Sequence, residues 1–266
     1  MTRELTAGQK FWQIVATVAI IVYTVVPLLW ILNMSLKSTA DRADGKFWAH
    51  SPTLENYRLI FTGGADLFLP ALLNSILVTL IATLIAVILA TFCAYAIARL
   101  DFPGKRLILG TALTVSFFPV ISLVTPLFDL WRQVHLFDTI PGLILPYLVL
   151  TLPLSIWTLS AFFQQIPWEM EQAAQVDGAS SWEAFRKVIV PLAAPGVFTT
   201  AIIVFFTAWN DFVFAISLTS DKARTVPAAL AFFTGASQFE SPTGAICAAG
   251  VVVTIPVVLL VLLFQR

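Results

Sequence analysis

Six long stretches without a single charged side chain constrain this chain more than any motif in it. They cover residues 14–32, 71–98, 107–128, 139–168, 192–210 and 241–265. A helix crosses the hydrocarbon core of a bilayer in about 20 apolar residues. Inside lipid every backbone N–H and C=O must be paired within the segment, so each stretch is expected to be helical. The pattern predicts transmembrane helices at about 12–32, 72–98, 107–128, 141–163, 192–216 and 243–264. The longer stretches would include interfacial turns. An even number of spans puts both termini on one side.

Composition points the same way. Of 266 residues, 59% are hydrophobic and 11% charged, against about 25% charged in soluble domains. The expected fold class is an all-α polytopic membrane protein, with one transmembrane domain over residues 1–266 and membrane lipid as its surroundings. The net charge is zero, so no nucleic-acid partner is expected. Cys93 and Cys247 both fall in apolar stretches and read as small buried hydrophobes. His50 and His135 stand apart from each other and from both cysteines, so no metal site is expected.

Arg3 and Lys10 before the first stretch also fit a cleavable leader. The stretch is long and Trp30-Ile31-Leu32-Asn33 offers no small-residue cleavage site, so a retained first span is expected. With both termini inside, eight basic residues fall on the inner segments and seven on the outer ones, which decides little. The tight loop from Arg99 to Arg106 is more telling. It holds Arg99, Lys105 and Arg106 between two spans, which favours the cytoplasmic side. Residues 33–70 and 217–242 then become extracytoplasmic loops. The first mixes Asp44, Lys46, His50 and Gly63-Gly64, with a short helix expected near 54–61. The second carries Lys222, Arg224 and Phe232-Phe233.

Within the spans, Pro27, Pro119, Pro126, Pro146, Pro153 and Pro256 can each kink a helix. Ala82, Ala86, Ala90, Ala94 and Ala98 recur every fourth residue and form a flat ridge that another backbone can approach closely. Gly244–Ala248 and Ala245–Ala249 repeat the device in the last span.

The missing chemistry narrows the function. Gly104-Lys105 is followed by Arg106, and Arg99 stands where a phosphate loop needs its first glycine. No His-Glu-x-x-His, Cys-x-x-Cys or Ser/His/Asp set can be assembled, so no enzyme is expected and no cofactor of its own. An ion-coupled carrier or channel is the alternative reading. Such carriers place Asp, Glu or His inside the membrane, whereas here only Asp211 reaches a span edge. Uphill transport by this chain would draw its energy from another subunit.

One polar helical insert, 166–190, interrupts the apolar second half. Pro167 suits a first helical turn, and Glu169 and Glu171 sit near the positive N-terminal end. Gly178 suits a C-terminal stop, and Ser180-Ser181-Trp182-Glu183 matches a capping box. Arg186 and Lys187 lie near the end of the second helix. A helix–turn–helix hairpin between the fourth and fifth spans is expected, with Ala173-Ala174 as a small patch for a partner.

At this insert the chain resembles the binding-protein-dependent ABC importer permeases, in the sugar branch of the maltose and mycobacterial-type trehalose importers. Their signature is Glu-Ala-Ala, three residues, Gly, nine residues, then Ile-x-Leu-Pro. Here Ala173-Ala174 precedes Gly178 by that spacing, and Val188-Ile189-Val190-Pro191 follows. Gln172 stands at the Glu position, with Glu171 just before it. Tyr95-Ala96-Ile97-Ala98-Arg99, Phe102-Pro103-Gly104-Lys105 and Trp209-Asn210-Asp211 are similar to the same branch. The resemblance implies a permease subunit that pairs with a second, homologous permease. Two ABC ATPase subunits, which bind ATP and Mg2+, would grip the hairpins. An extracytoplasmic solute-binding protein would deliver a sugar, a disaccharide such as trehalose, at the outer face. Transport would run by alternating access across the cytoplasmic membrane of a bacterium, with both termini cytoplasmic. Ala173, Ala174 and Gly178 would dock the ATPase, with Glu169, Glu171, Gln172, Asp177 and Arg186 as polar partners. Asn74, Ser75, Asn210 and Asp211 are the candidates for a sugar path, because sugars need hydrogen-bonding groups near the spans. In relatives a C-terminal tail beyond the last span can touch the ATPase, and with the sequence stopping at Arg266 that contact is expected to be missing.

Overall fold

A computed structural model describes residues 6–42, 46–62, 68–233 and 242–264. Arg3, Asp44, Gly63-Gly64 and Arg266, singled out above, lie outside these residues. Among the described residues every regular element is helical. Two compact units emerge, Met1–Leu69 with Phe232–Arg266, and Pro70–Ala231.

In the first unit, α1 (Ala7–Leu36) is a 30-residue helix opened by a capping box at Thr6 and Gln9. None of its most apolar 18-residue window is buried, as suits a helix lapped by lipid. After α2 (Thr39–Arg42) comes the short helix expected near 54–61, which is α3 (Glu55–Thr62). Asn56 is buried and donates to Ser35 O and Lys37 O at 2.9 and 2.8 Å, so it closes the polar end of α1. The final helix, α14 (Thr243–Phe264), packs along α1 and α3. Its small residues are inside: Ala245, Ala248 and Ala249 are buried.

The second unit begins along α4 (Phe68–Arg99), a helix of 32 residues. The alanine ridge does what its spacing predicts. Ala82, Ala86, Ala90 and Ala94 are all buried, while Ala98 is half-buried. The N-terminal half of the ridge packs in a core of Val78, Ala82, Trp131, Leu143, Tyr147, Ala208, Phe214 and Leu218. The C-terminal half packs with Leu159, Phe163, Ile189 and Ala193. Between them runs α7 (Ile140–Gln165), which contributes to both clusters.

The third expected span is not one straight helix. It divides into α5 (Lys105–Ser116) and α6 (Val120–Gln133), which meet at 91°. Pro119 sits at the break with extended backbone. Proline has no N–H to continue the helical ladder, and it pushes the residue before it out of the helical region. Pro27, Pro126, Pro146, Pro153 and Pro256 instead lie inside helices that continue through them. Among the described residues four helices are long and apolar enough to cross a membrane, or up to six if each of two bent pairs counts as one span.

The second bent pair lies beyond the polar insert. After α8 (Trp168–Val176) the chain forms α9 (Ser181–Ala184), a π turn over Phe185–Ile189 and α10 (Val190–Leu192). A bend of 70° leads into α11 (Ala194–Trp209). This helix presses closely on α7, where a Cβ at Gly196 would lie 2.4 Å from Phe162 Cγ. Two short helices, α12 (Val213–Leu218) and α13 (Val226–Leu230), complete the unit. The expected fifth span at 192–216 is therefore interrupted at Asn210, where α11 stops.

Candidate functional site

The polar insert is a capped helical hairpin. Pro167 is the N-cap of α8 rather than its first residue, and Glu169 and Glu171 occupy the first turn. The end of α8 is a Schellman motif. Ala179 N–H donates to Ala174 O and Gly178 N–H to Gln175 O, both at 3.0 Å. Gly178 carries the left-handed backbone this requires, with φ +92°. Two residues later the capping box closes. Glu183 N–H donates to Ser180 Oγ at 3.3 Å, and Ser180 N–H donates to Glu183 Oε2 at 3.1 Å. Lys187 Nζ donates to Glu183 Oε1 at 2.8 Å. That lysine and the Ser180 donors lower the Glu183 carboxyl to a pKa of about 2.

Most of the expected docking residues face outward. Glu169, Gln172, Ala173, Asp177, Gly178 and Arg186 are exposed, and Ala174 is half-buried. Glu171 does not share this exposure. It is buried and turned toward the end of α4. Tyr95 Oη donates to Glu171 Oε1 at 2.5 Å. Arg99 Nε stands 3.7 Å from Glu171 Oε2, an ionic contact beyond hydrogen-bond reach. The same guanidinium donates to Ile166 O at 2.9 Å and lies 5.0 Å over the Trp168 ring. Aromatic rings surround this point. Tyr95 packs on Phe185 at 4.6 Å and on Phe163 at 6.0 Å, and Phe92 stacks on Trp182 at 6.1 Å.

The four candidates for a sugar path have structural partners. Asn74 Nδ2 donates to Lys222 O and Arg224 O at 2.8 and 3.0 Å. Ser75 Oγ accepts from Val226 N–H at 2.8 Å. Both therefore hold the segment before α13. Asp211 accepts from Tyr147 Oη and from Ala215 N–H, each at 3.0 Å, and so starts α12. Asn210 is exposed and donates to Phe206 O one turn back. A cleft of about 290 Å³ between α6, α7 and α12 is lined by Leu123, Leu127, Trp131, Pro146 and Phe214. Its apolar walls offer a sugar no hydrogen-bonding partner.

Sequence reasoning passed over Asp138. The carboxylate gathers the N–H groups of Ser220, Asp221, Lys222 and Ala223 at 2.9–3.2 Å. Burial alone would raise its pKa, but the four amides outweigh burial and hold it below 3.8. Asp138 has φ 56°, a conformation Asp tolerates better than most residues. That preference was the only local signal. Among the described residues no group of His, Cys, Asp and Glu could hold a metal ion.

Among the described residues, a body of long apolar helices carries one capped polar hairpin. Residues 86–266 match the family described as binding-protein-dependent transport system inner membrane component, and the chain belongs to that family. Among the similar proteins is the trehalose transport system permease protein SugB of Mycobacterium tuberculosis. It is 56% identical over 96% of this chain and 93% of its own length. The trehalose/maltose transport system permease protein MalG of Thermococcus litoralis is 37% identical over 95% of this chain and 91% of its own. A solved bacterial ABC transporter that imports the acidic polysaccharide alginate contains a chain of the same fold, with TM-score 0.82 and 99% of both chains covered. At 21% identity, that likeness speaks for the fold alone.

Proposed function

We propose that this chain is one permease subunit of an ATP-driven sugar importer in the cytoplasmic membrane of a bacterium. Its substrate is a disaccharide of the trehalose kind. The observation that carries the reading is the hairpin. Two back-to-back caps hold Gln172, Ala173 and Gly178 on an exposed face. The small side chains leave room for a partner to approach closely. The 56% identity to a trehalose permease supports the sugar.

In this reading the hairpin is cytoplasmic, as are both termini, and residues 33–70 and 217–242 face outward. A second homologous permease completes the translocation path. Two ATPase subunits bind ATP and Mg2+ and press on the hairpins. A solute-binding protein delivers sugar to the outer loops. Gln172, Ala173, Ala174 and Gly178 dock the ATPase, with Glu169, Asp177 and Arg186 at the rim. Closure of the ATPases tilts the hairpin and switches the spans between inward- and outward-open.

The test is a pull-down from detergent-solubilised membranes with a tagged chain, followed by labelled trehalose uptake in proteoliposomes. Recovery of an ATPase and a second permease, with uptake that needs ATP, is the expected result. Uptake by the purified chain alone, driven by an ion gradient, would overturn it. Absence of trehalose uptake by a complex that holds the ATPase and the second permease and hydrolyses ATP would overturn the sugar assignment only.

A further inference from the structure

We propose that Glu171, Tyr95 and Arg99 form a buried latch that passes hairpin movement to the inner end of α4. The inference rests on the proposed role of the hairpin as the docking element. It removes Glu171 from the docking face and gives it a positioning role instead.

The chain joins the hairpin directly to only two helices. Ile166-Pro167 leads back to α7, and the π turn leads on to α11. A push on α8 reaches those two through the backbone. Nothing in the sequence ties it to α4, since Tyr95 and Glu171 are 76 positions apart. Yet α4 contributes Val78 and Ala82 to one core cluster of the second unit and Ala90 and Ala94 to the other.

Packing also joins the hairpin to α4, through Phe92 on Trp182 and Phe185, but these apolar contacts carry no directional bond. Ala90 and Ala94 give α4 a flat face against Leu159, Phe163 and Ile189. A ridge of methyl groups fits closely but has no protruding side chain to key it against sliding. The polar links between α8, its lead-in and α4 converge on two side chains among the described residues. Glu171 receives Tyr95 Oη and faces Arg99, and Arg99 holds Ile166 O and covers Trp168. The side chains of Arg99 and Glu171 are 6% and 4% exposed. Separating such a pair leaves a charge without compensation out of water, so the contact resists being pulled apart. Tyr95 adds direction. It touches α7 through Phe163, the π turn through Phe185 and α8 through Glu171. Movement of the hairpin therefore drags the end of α4 instead of slipping past it.

The experiment compares wild type, Tyr95→Phe, Glu171→Gln and the double variant in the assembled transporter. Two quantities are read: ATPase recovered with the tagged chain, and sugar moved per ATP hydrolysed in proteoliposomes. Tyr95→Phe removes one hydroxyl and keeps the ring stack. The expected result is normal recovery of the ATPase with a several-fold drop in sugar per ATP. The double variant should be no worse than the poorer single one, because both break the same unit. Sugar per ATP at the wild-type value in all variants would overturn the latch. So would transport and hydrolysis falling together in proportion to the complex recovered, which is the mark of a structural role. If the wild-type chain recovers no ATPase, the docking reading fails, and that outcome overturns the latch with it while remaining distinct from the first two.

Discussion

Asp138 clasps the segment that precedes α13 by drawing four backbone amides onto one carboxylate. Its folded pKa is depressed. The stability it contributes is therefore present above the ordinary value of 3.8 and lost as pH falls through the lower folded value. Hydrogen exchange read by mass spectrometry should show the amides of 220–223 protected at neutral pH and released under strong acid. Asp138→Asn should release them at neutral pH, because an amide cannot accept from four donors as a carboxylate does. Single residues of this kind were the least legible in the sequence. Asp138 finds its partners more than 80 positions away. Glu171 reads as an ordinary first-turn acid until Arg99 and Tyr95 are placed beside it. By contrast Gly178 and Ser180 could be read directly, since each acts on backbone within a few residues of itself.

Helices meet here through absences of side chain as much as through side chains. Gly196 lets α11 approach α7, and a methyl group there would overlap Phe162. Gly196→Ala should destabilise the chain by about 1–3 kcal/mol through overpacking. Thermal unfolding in detergent checks this, and Phe162→Ala in the same chain should restore part of the loss. At the hairpin, Gly178→Ala meets no neighbour but keeps a left-handed backbone. It should cost about 1–2 kcal/mol, and Ser180→Ala about 1 kcal/mol by loss of the cap. Both should reduce the ATPase recovered by pull-down more than the amount of chain in the membrane. The 91° break at Pro119 shows what run length alone hides. Of the six prolines expected to kink a span, five are carried inside helices. Composition does not distinguish them. Pro119 differs because the turn before it, at Phe117 and Phe118, has already tightened to bonds with Thr114 O and Val115 O.

For the whole molecule, membrane orientation is the property to measure. Single cysteines at Gln172 and Lys222, in a chain with Cys93 and Cys247 replaced, should label from opposite faces in sealed vesicles. Labelling of both from one face would overturn the proposed topology. Apolar run length made the class of fold legible from the start, because lipid leaves a chain few alternatives. It did not count the spans, since a bent pair and a straight helix have the same composition. The π turn at Phe185–Ile189 also has a consequence for any attempt to exchange hairpins between relatives. Such a turn bonds each residue to the fifth one on, so it holds one residue more than an α-turn. That extra residue sets the rotational phase between the hairpin and everything after it, as an offset tooth sets two gears. Deleting one residue there would turn the two parts by about 100° relative to each other. A transplanted hairpin would then need its π turn to come with it, or its exposed face would aim away from the proposed ATPase.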